Sequence, residues 1–80
     1  MTFSADAIVL KIIKTGESDR LLTLLTRDRG IIKAFAKAAD RPKNKLHMST
    51  NLFCYGRFTF YESVKSTKVE ECDLNETFFA

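Results

Sequence analysis

Two apolar runs held apart by one short polar connection limit this chain more than any other feature. Arg20 to Thr26 reads RLLTLLT, and Ile31 to Ala38 reads IIKAFAKA. Between them Arg27, Asp28, Arg29 and Gly30 end in the glycine that a type I turn followed by a left-handed residue favours. In the second run Ile32, Ala34 and Ala36 alternate with Lys33, Phe35 and Lys37, the period of a half-buried strand. Leucine favours helix only weakly, so the turn chemistry prevails and the pair is predicted to be an antiparallel hairpin. Leu22, Leu24, Ile32 and Ala34 are its core positions by spacing.

The flanking segments extend the same sheet. Ala5 to Lys14 (ADAIVLKIIK) is rich in β-branched residues and is predicted to be a strand, buried on both faces over part of its length. A turn follows from Thr15 to Asp19, where Gly16 is free to take positive φ. Asp19 is expected to bond its own backbone two residues on, and Arg20 to pair with Glu17 or Asp19. Asp40 to Lys45 is a loop in which Pro42 lacks a donor and biases Arg41 towards an extended shape. Asn44 to Asn51 is predicted to be a short helix with Leu46 and Thr50 on one side and His47 on its surface. Cys54 to Glu62 (CYGRFTFYE) is a strand with Cys54, Phe58 and Phe60 facing one way and Tyr55, Arg57, Thr59 and Tyr61 the other. Gly56 is read there as a bulge or a sharp coil. Thr67 to Leu74 completes the set, with Val69 inward and charges that suit an exposed edge. Three strands, a short helix and two strands is the order of a mainly β fold, the five-stranded OB-fold Greek-key barrel with its helix between strands 3 and 4. Residues 1–74 are expected to form this domain. Residues 75–80 are expected to begin a linker or helix, capped near Asp73 or Asn75, that leads into a further domain.

Composition excludes several function classes. Eighty residues allow one domain, which buries only about 60–65% of its unfolded surface. Cys54 and Cys72 form no CxxC pair, and His47 is the only histidine, so no common zinc set is present and no cofactor is expected. Both thiols are read as reduced and half-buried in a cytoplasmic protein. Asp6 and Lys11 interrupt what would be the apolar core of a signal peptide, and no run approaches the roughly 20 apolar residues of a membrane span. No glycine-rich phosphate loop and no nucleophile–base pair appears, and Glu70, Glu71 and Asp73 read as a solvated edge, so no enzymatic activity is expected.

Charge is distributed unevenly. Seven of the 13 Lys and Arg residues lie between Arg27 and Lys45 with only Asp28 and Asp40 against them, so that window carries +5 in a chain of net +3. Concentrated positive charge is the footprint of a phosphate-backbone partner, and equally of a Lys-rich solvated surface.

The same window carries a resemblance. Gly16-Glu17-Ser18-Asp19-Arg20, the run Leu21 to Arg27, Gly30, and the segment Ala36 to Lys43 together resemble the N-terminal domain of the bacterial DNA repair protein RecO family. Ala38 stands where that family usually has glycine, Asp40 where a basic residue is common, and Asn44 where serine is usual. The resemblance implies an OB-fold without catalysis in recombinational repair. It also implies binding of single- and double-stranded DNA, annealing of complementary strands, and loading of RecA onto strands covered by single-strand-binding protein. The implied partners are RecR and, in the longer protein, RecF and single-strand-binding protein, with a nucleoid-associated bacterial location.

Within an OB-fold, strands 2 and 3 supply much of the nucleic-acid platform. Lys33 and Lys37 are therefore candidates for phosphates, and Phe35 either stacks a base or packs against the helix or a neighbouring domain. Arg27 and Arg29 on the hairpin turn, Arg41, Lys43 and Lys45 in the proline loop, and Arg57 beside Tyr55 and Tyr61 complete the candidate set. Two other readings fit the same charge: a protein-interaction module that docks RecR or an acidic segment, and an RNA-binding barrel.

Overall fold

The computed structural model describes residues 1–74. Five strands, β1 (Thr2–Thr15), β2 (Asp19–Thr26), β3 (Gly30–Ala36), β4 (Tyr55–Glu62) and β5 (Thr67–Leu74), and one helix, α1 (Leu46–Ser49), follow one another with α1 between β3 and β4. The strands close into a barrel in the order β1-β2-β3-β5-β4. All neighbours are antiparallel except β3 and β5, which meet in parallel at Phe35 and Lys68. A three-stranded meander followed by a fourth strand beside the first is the Greek-key path of an OB-fold. Asp73 lies within β5 and so caps no helix; the linker or helix expected over 75–80 lies outside the described residues.

β1 makes closure possible. Its first half pairs with β4 and its second with β2, so one strand of 14 residues serves two ladders. The register against β2 shifts between Val9 and Lys11, a bulge at Leu10 that bends the strand and reverses its faces. Before the bulge Ala5, Ala7 and Val9 point inward; beyond it Ile12 packs on the core. The near-continuous apolar run therefore reflects this reversal rather than burial on two faces, and Leu10 and Ile13 stay exposed.

Phe58 and Phe60 fill the interior together with Leu22, Leu24 and Val69, all buried as their spacing predicts, and with Val9. The Phe58 and Phe60 rings lie 5.9 Å apart, and Phe3 stacks on Phe60 at 5.1 Å. Burial of each such side chain is worth roughly 1.5–3 kcal/mol. Ile32 is only partly buried at the rim of this core.

Two expectations for the second half are corrected. Gly56 is neither bulge nor coil: it pairs in regular register with Ala7 and Leu74 and is buried. The irregularity lies instead between Thr59 and Phe60, where Glu70 on β5 is the extra residue. Nor is β5 a free edge, because β3 joins it on the side away from β4. Its charges remain exposed on the outer surface.

The hairpin turn has the expected form. Gly30 adopts φ 68°, the Thr26 hydroxyl donates to the Gly30 carbonyl at 2.7 Å, and the Arg29 N–H donates to the same hydroxyl oxygen at 2.9 Å. Gly16 likewise takes φ 59° in the β1–β2 turn. β3 ends at Ala36, two residues earlier than predicted, because Ala38 turns out of the sheet at φ 58°. α1 is one turn, shorter than the predicted 44–51. The Asn44 carboxamide accepts the Leu46 N–H at 2.8 Å, the Thr50 N–H and hydroxyl both donate to the Leu46 carbonyl, and Thr50, at φ −107° and ψ 18°, leaves the helix. Leu46, with Ala39, seals the barrel beneath. Both cysteines are free and half-buried. Burial, with Cys54 and Asp73 adding to it, pushes the Cys72 thiol up to about 12.

Candidate nucleic-acid interface

Strand register builds the outer face of β1, β2 and β3 from three cross-strand rows. Ile8, Leu25 and Ile31 lie opposite one another at the end of the barrel that carries the β2–β3 turn. The middle row is Lys11, Thr23 and Lys33. The third is Ile13, Leu21 and Phe35, which Lys68 of β5 extends. Lysines thus sit between two apolar rows on one open sheet face. Phe35 keeps 38% of its surface exposed, so α1 does not cover it.

The other candidates divide between the two ends of this face. Lys37 lies exposed just beyond β3, and Arg41, Lys43 and Lys45 lie exposed in the loop that leads to α1. That loop rests on the β1–β2 turn: the Asp40 N–H donates to the Ser18 carbonyl at 2.8 Å, and Arg41 Nε donates to Ser18 Oγ at 3.1 Å. Arg27, Arg29 and Arg57 occupy the opposite end, about 24 Å away along the eight residues of β2. They are engaged within the molecule. Arg57 pairs with Asp6 at 3.3 Å, Arg27 approaches the same carboxylate at 4.0 Å, and the Arg29 guanidinium lies 3.9 Å over the Phe3 ring. Arg27 and Arg57 still expose 75% and 61% of their side chains, so these surface pairs leave the cations accessible. Beside them Asp6, Ile8, Leu25, Thr26, Arg27 and Tyr55 line a cleft of about 350 Å³.

Asp40 is neutralised. It accepts from Arg20 Nε at 3.3 Å and Nη2 at 3.1 Å, and Lys14 lies 3.7 Å away. The Arg20 hydrogen bond is the main reason its carboxyl stays below the ordinary 3.8, with the Lys14 and Arg20 charges adding to it against some desolvation. Arg20 therefore pairs with neither Glu17 nor Asp19, its expected partners. Asp19 does not close a local turn either; its Oδ1 accepts the Ala38 N–H at 2.7 Å. Sequence separations of 19 and 20 residues put both contacts beyond local turn logic. His47 is half-buried rather than a surface residue, its Nδ1 3.0 Å from the Ala39 carbonyl.

Two lysines of the central face escaped sequence reasoning. Lys11 comes into line with Lys33 only because of the Leu10 bulge, and Lys68 reaches Phe35 only through barrel closure. Neither pairing leaves a local signal. Among the described residues, no group of three His, Cys, Asp or Glu side chains is placed to hold a metal ion. No helix among them is long and apolar enough to cross a membrane.

A family model described as Recombination protein O N terminal matches residues 1–78. The chain belongs to this RecO N-terminal family. The DNA repair protein RecO of Acetivibrio thermocellus is 40% identical over 72 residues, covering 90% of this chain and 29% of that protein. That of Moorella thermoacetica is 37% identical over 76 residues, covering 95% of this chain and 28% of the relative. A third, from Dehalococcoides mccartyi, is 47% identical over 53 residues, covering 66% of this chain and 21% of the relative. The chain thus spans less than a third of the length of these RecO relatives. The described barrel is the fold of a RecO N-terminal family member.

Proposed function

We propose that this barrel binds single-stranded DNA along the outer face of β2 and β3, without catalysis, as the DNA-binding domain of a RecO-like recombination mediator. One observation carries the reading: the Lys11–Thr23–Lys33 row lies beside the exposed Phe35 ring and Lys68 on one open face. Lysines track the phosphates while the ring stacks a base, an interaction worth about 1–3 kcal/mol per base. Lys37, Arg41, Lys43 and Lys45 take the backbone at one end of the face, and Arg27, Arg29 and Arg57 guide it at the other. Duplex DNA uses the same cations through its phosphates. In the longer protein this domain supports strand annealing and RecA loading with RecR, RecF and single-strand-binding protein in the bacterial cytoplasm. Residues 1–74 form the binding unit. The family match and the family resemblance support this wider role.

Titration with a fluorescent oligonucleotide tests the reading. About four phosphate contacts on a single strand give a slope of log K against log salt of about −3. Phe35→Ala weakens binding at fixed salt, and Lys33→Glu weakens it and flattens the slope. Absence of binding at low salt overturns the reading. The Ile8–Leu25–Ile31 row favours a second one, since Leu25 and Ile31 are 45% and 63% exposed and no lysine lies in the row. On that reading the face docks RecR or another protein segment. Chemical-shift maps with oligonucleotide and with RecR separate the two.

A further inference from the structure

The two segments that carry the resemblance to the RecO family are bonded to each other. Ser18, Asp19 and Arg20 lead into β2; Ala38, Ala39, Asp40 and Arg41 open the basic loop. Backbone and side chains both join them. The Asp40 N–H donates to the Ser18 carbonyl, the Ala38 N–H to Asp19 Oδ1, Arg41 Nε to Ser18 Oγ, and Arg20 to the Asp40 carboxylate. Arg20 also reaches the far side of the loop. Its Nη1 donates to the His47 carbonyl at 3.2 Å, Thr50 Oγ1 at 3.0 Å and Asn51 Oδ1 at 3.2 Å. One guanidinium, its side chain only 8% exposed, thus clamps both ends of the segment that presents Arg41, Lys43 and Lys45.

We propose that Ser18, Asp19 and Arg20 are positioning residues for nucleic-acid binding, and that Asp40 raises affinity despite its negative charge within a basic loop. The inference rests on the DNA-binding reading above and concerns how the loop is prepared for it. A free loop loses conformational freedom when it settles on a phosphate backbone, whereas a loop already held loses little. The Asp40 charge repels phosphate weakly because Arg20 and Lys14 match it. Arg20 is too enclosed to reach a phosphate itself, so its charge serves the clamp. Ala38 at φ 58° aims the chain back over the β1–β2 turn, and Asp19 holds it there.

Charge alone and positioning predict opposite signs. Were Asp40 merely an acid beside phosphates, Asp40→Asn would tighten DNA binding and steepen its salt dependence. As a positioning residue, Asp40→Asn weakens binding about 3- to 10-fold with the salt slope unchanged. Ser18→Ala, which changes no charge, weakens it about 2- to 3-fold. In both variants the Arg41 and Asn44 amides, which donate to the Ala38 and Arg41 carbonyls, exchange with deuterium faster, while core-strand amides keep their wild-type rates. The experiment is oligonucleotide titration at several salt concentrations with hydrogen exchange on the same samples, and Lys43→Glu as a charge control. Equal or tighter binding by folded Asp40→Asn overturns the inference. If Asp40→Asn fails to fold, wild-type affinity in Ser18→Ala overturns it instead. A wild-type chain that binds no DNA overturns the DNA-binding reading and this inference with it, an outcome visible in the reference titration.

Discussion

Ala38 is a residue whose conformation and identity disagree. It holds φ 58°, a region that costs a residue with a Cβ about 1–2 kcal/mol. The family resemblance puts glycine at this position. Ala38→Gly removes the steric cost but loosens the unfolded chain, so it is expected to stabilise the barrel by about 0.5–1 kcal/mol, read as a higher urea midpoint with an unchanged m-value. At this scale the sequence was legible where chemistry is local. The positive φ of Gly16 and Gly30 follows from turn composition, and the inward positions of Val69, Phe58 and Phe60 follow from spacing. Arg20 and Asp40 were not legible as a pair. An arginine beside an aspartate and a glutamate invites a local partner, and only the folded loop reveals the distant one. By sequence Asp40 only subtracts from the charge of the basic window, whereas in the fold it is bonded to Arg20.

Between elements, the Arg20–Asp40 tie is one of the bonds of β2 to the β3–α1 loop, and its Asp40 carboxyl titrates. The Arg20 hydrogen bond and the Lys14 charge hold the Asp40 carboxyl below 3.8, so the folded chain gives up this proton more readily than the unfolded one. The contribution to stability is therefore complete above about 3.8 and is lost as pH falls through the lower folded value. The stability difference between the wild type and Asp40→Asn is expected at pH 7 and should shrink steadily below pH 4, as followed by chemical denaturation. Elements were the most legible scale. The order of five strands and a helix follows from alternation and turns. Boundaries failed where the backbone leaves regular geometry: β3 stops early because Asp19 draws Ala38 out of line, and α1 ends after one turn where Thr50 takes φ −107° and ψ 18°. The Leu10 bulge was hidden in an apolar run, and with it the alignment of Lys11 and Lys33.

For the whole molecule, the ladders are unequal. β1, β2, β3 and β4 are joined by long antiparallel registers, as are β4 and β5, whereas β3 and β5 share the single pair Phe35–Lys68. Amides along this seam are expected to exchange with solvent before those of Leu22, Leu24 and Phe58, because less pairing must open to release them. Native-state hydrogen exchange at low denaturant checks this; simultaneous exchange of all strands would show that the barrel opens only as a unit. The seam also bears on the order of events in time. The meander of β1, β2 and β3 joins neighbours in the chain, but Phe35 must wait for a residue 33 positions later. Closure is thus the natural last step of folding, and until it happens the newly made chain carries two unpaired strand edges that a second nascent copy can join.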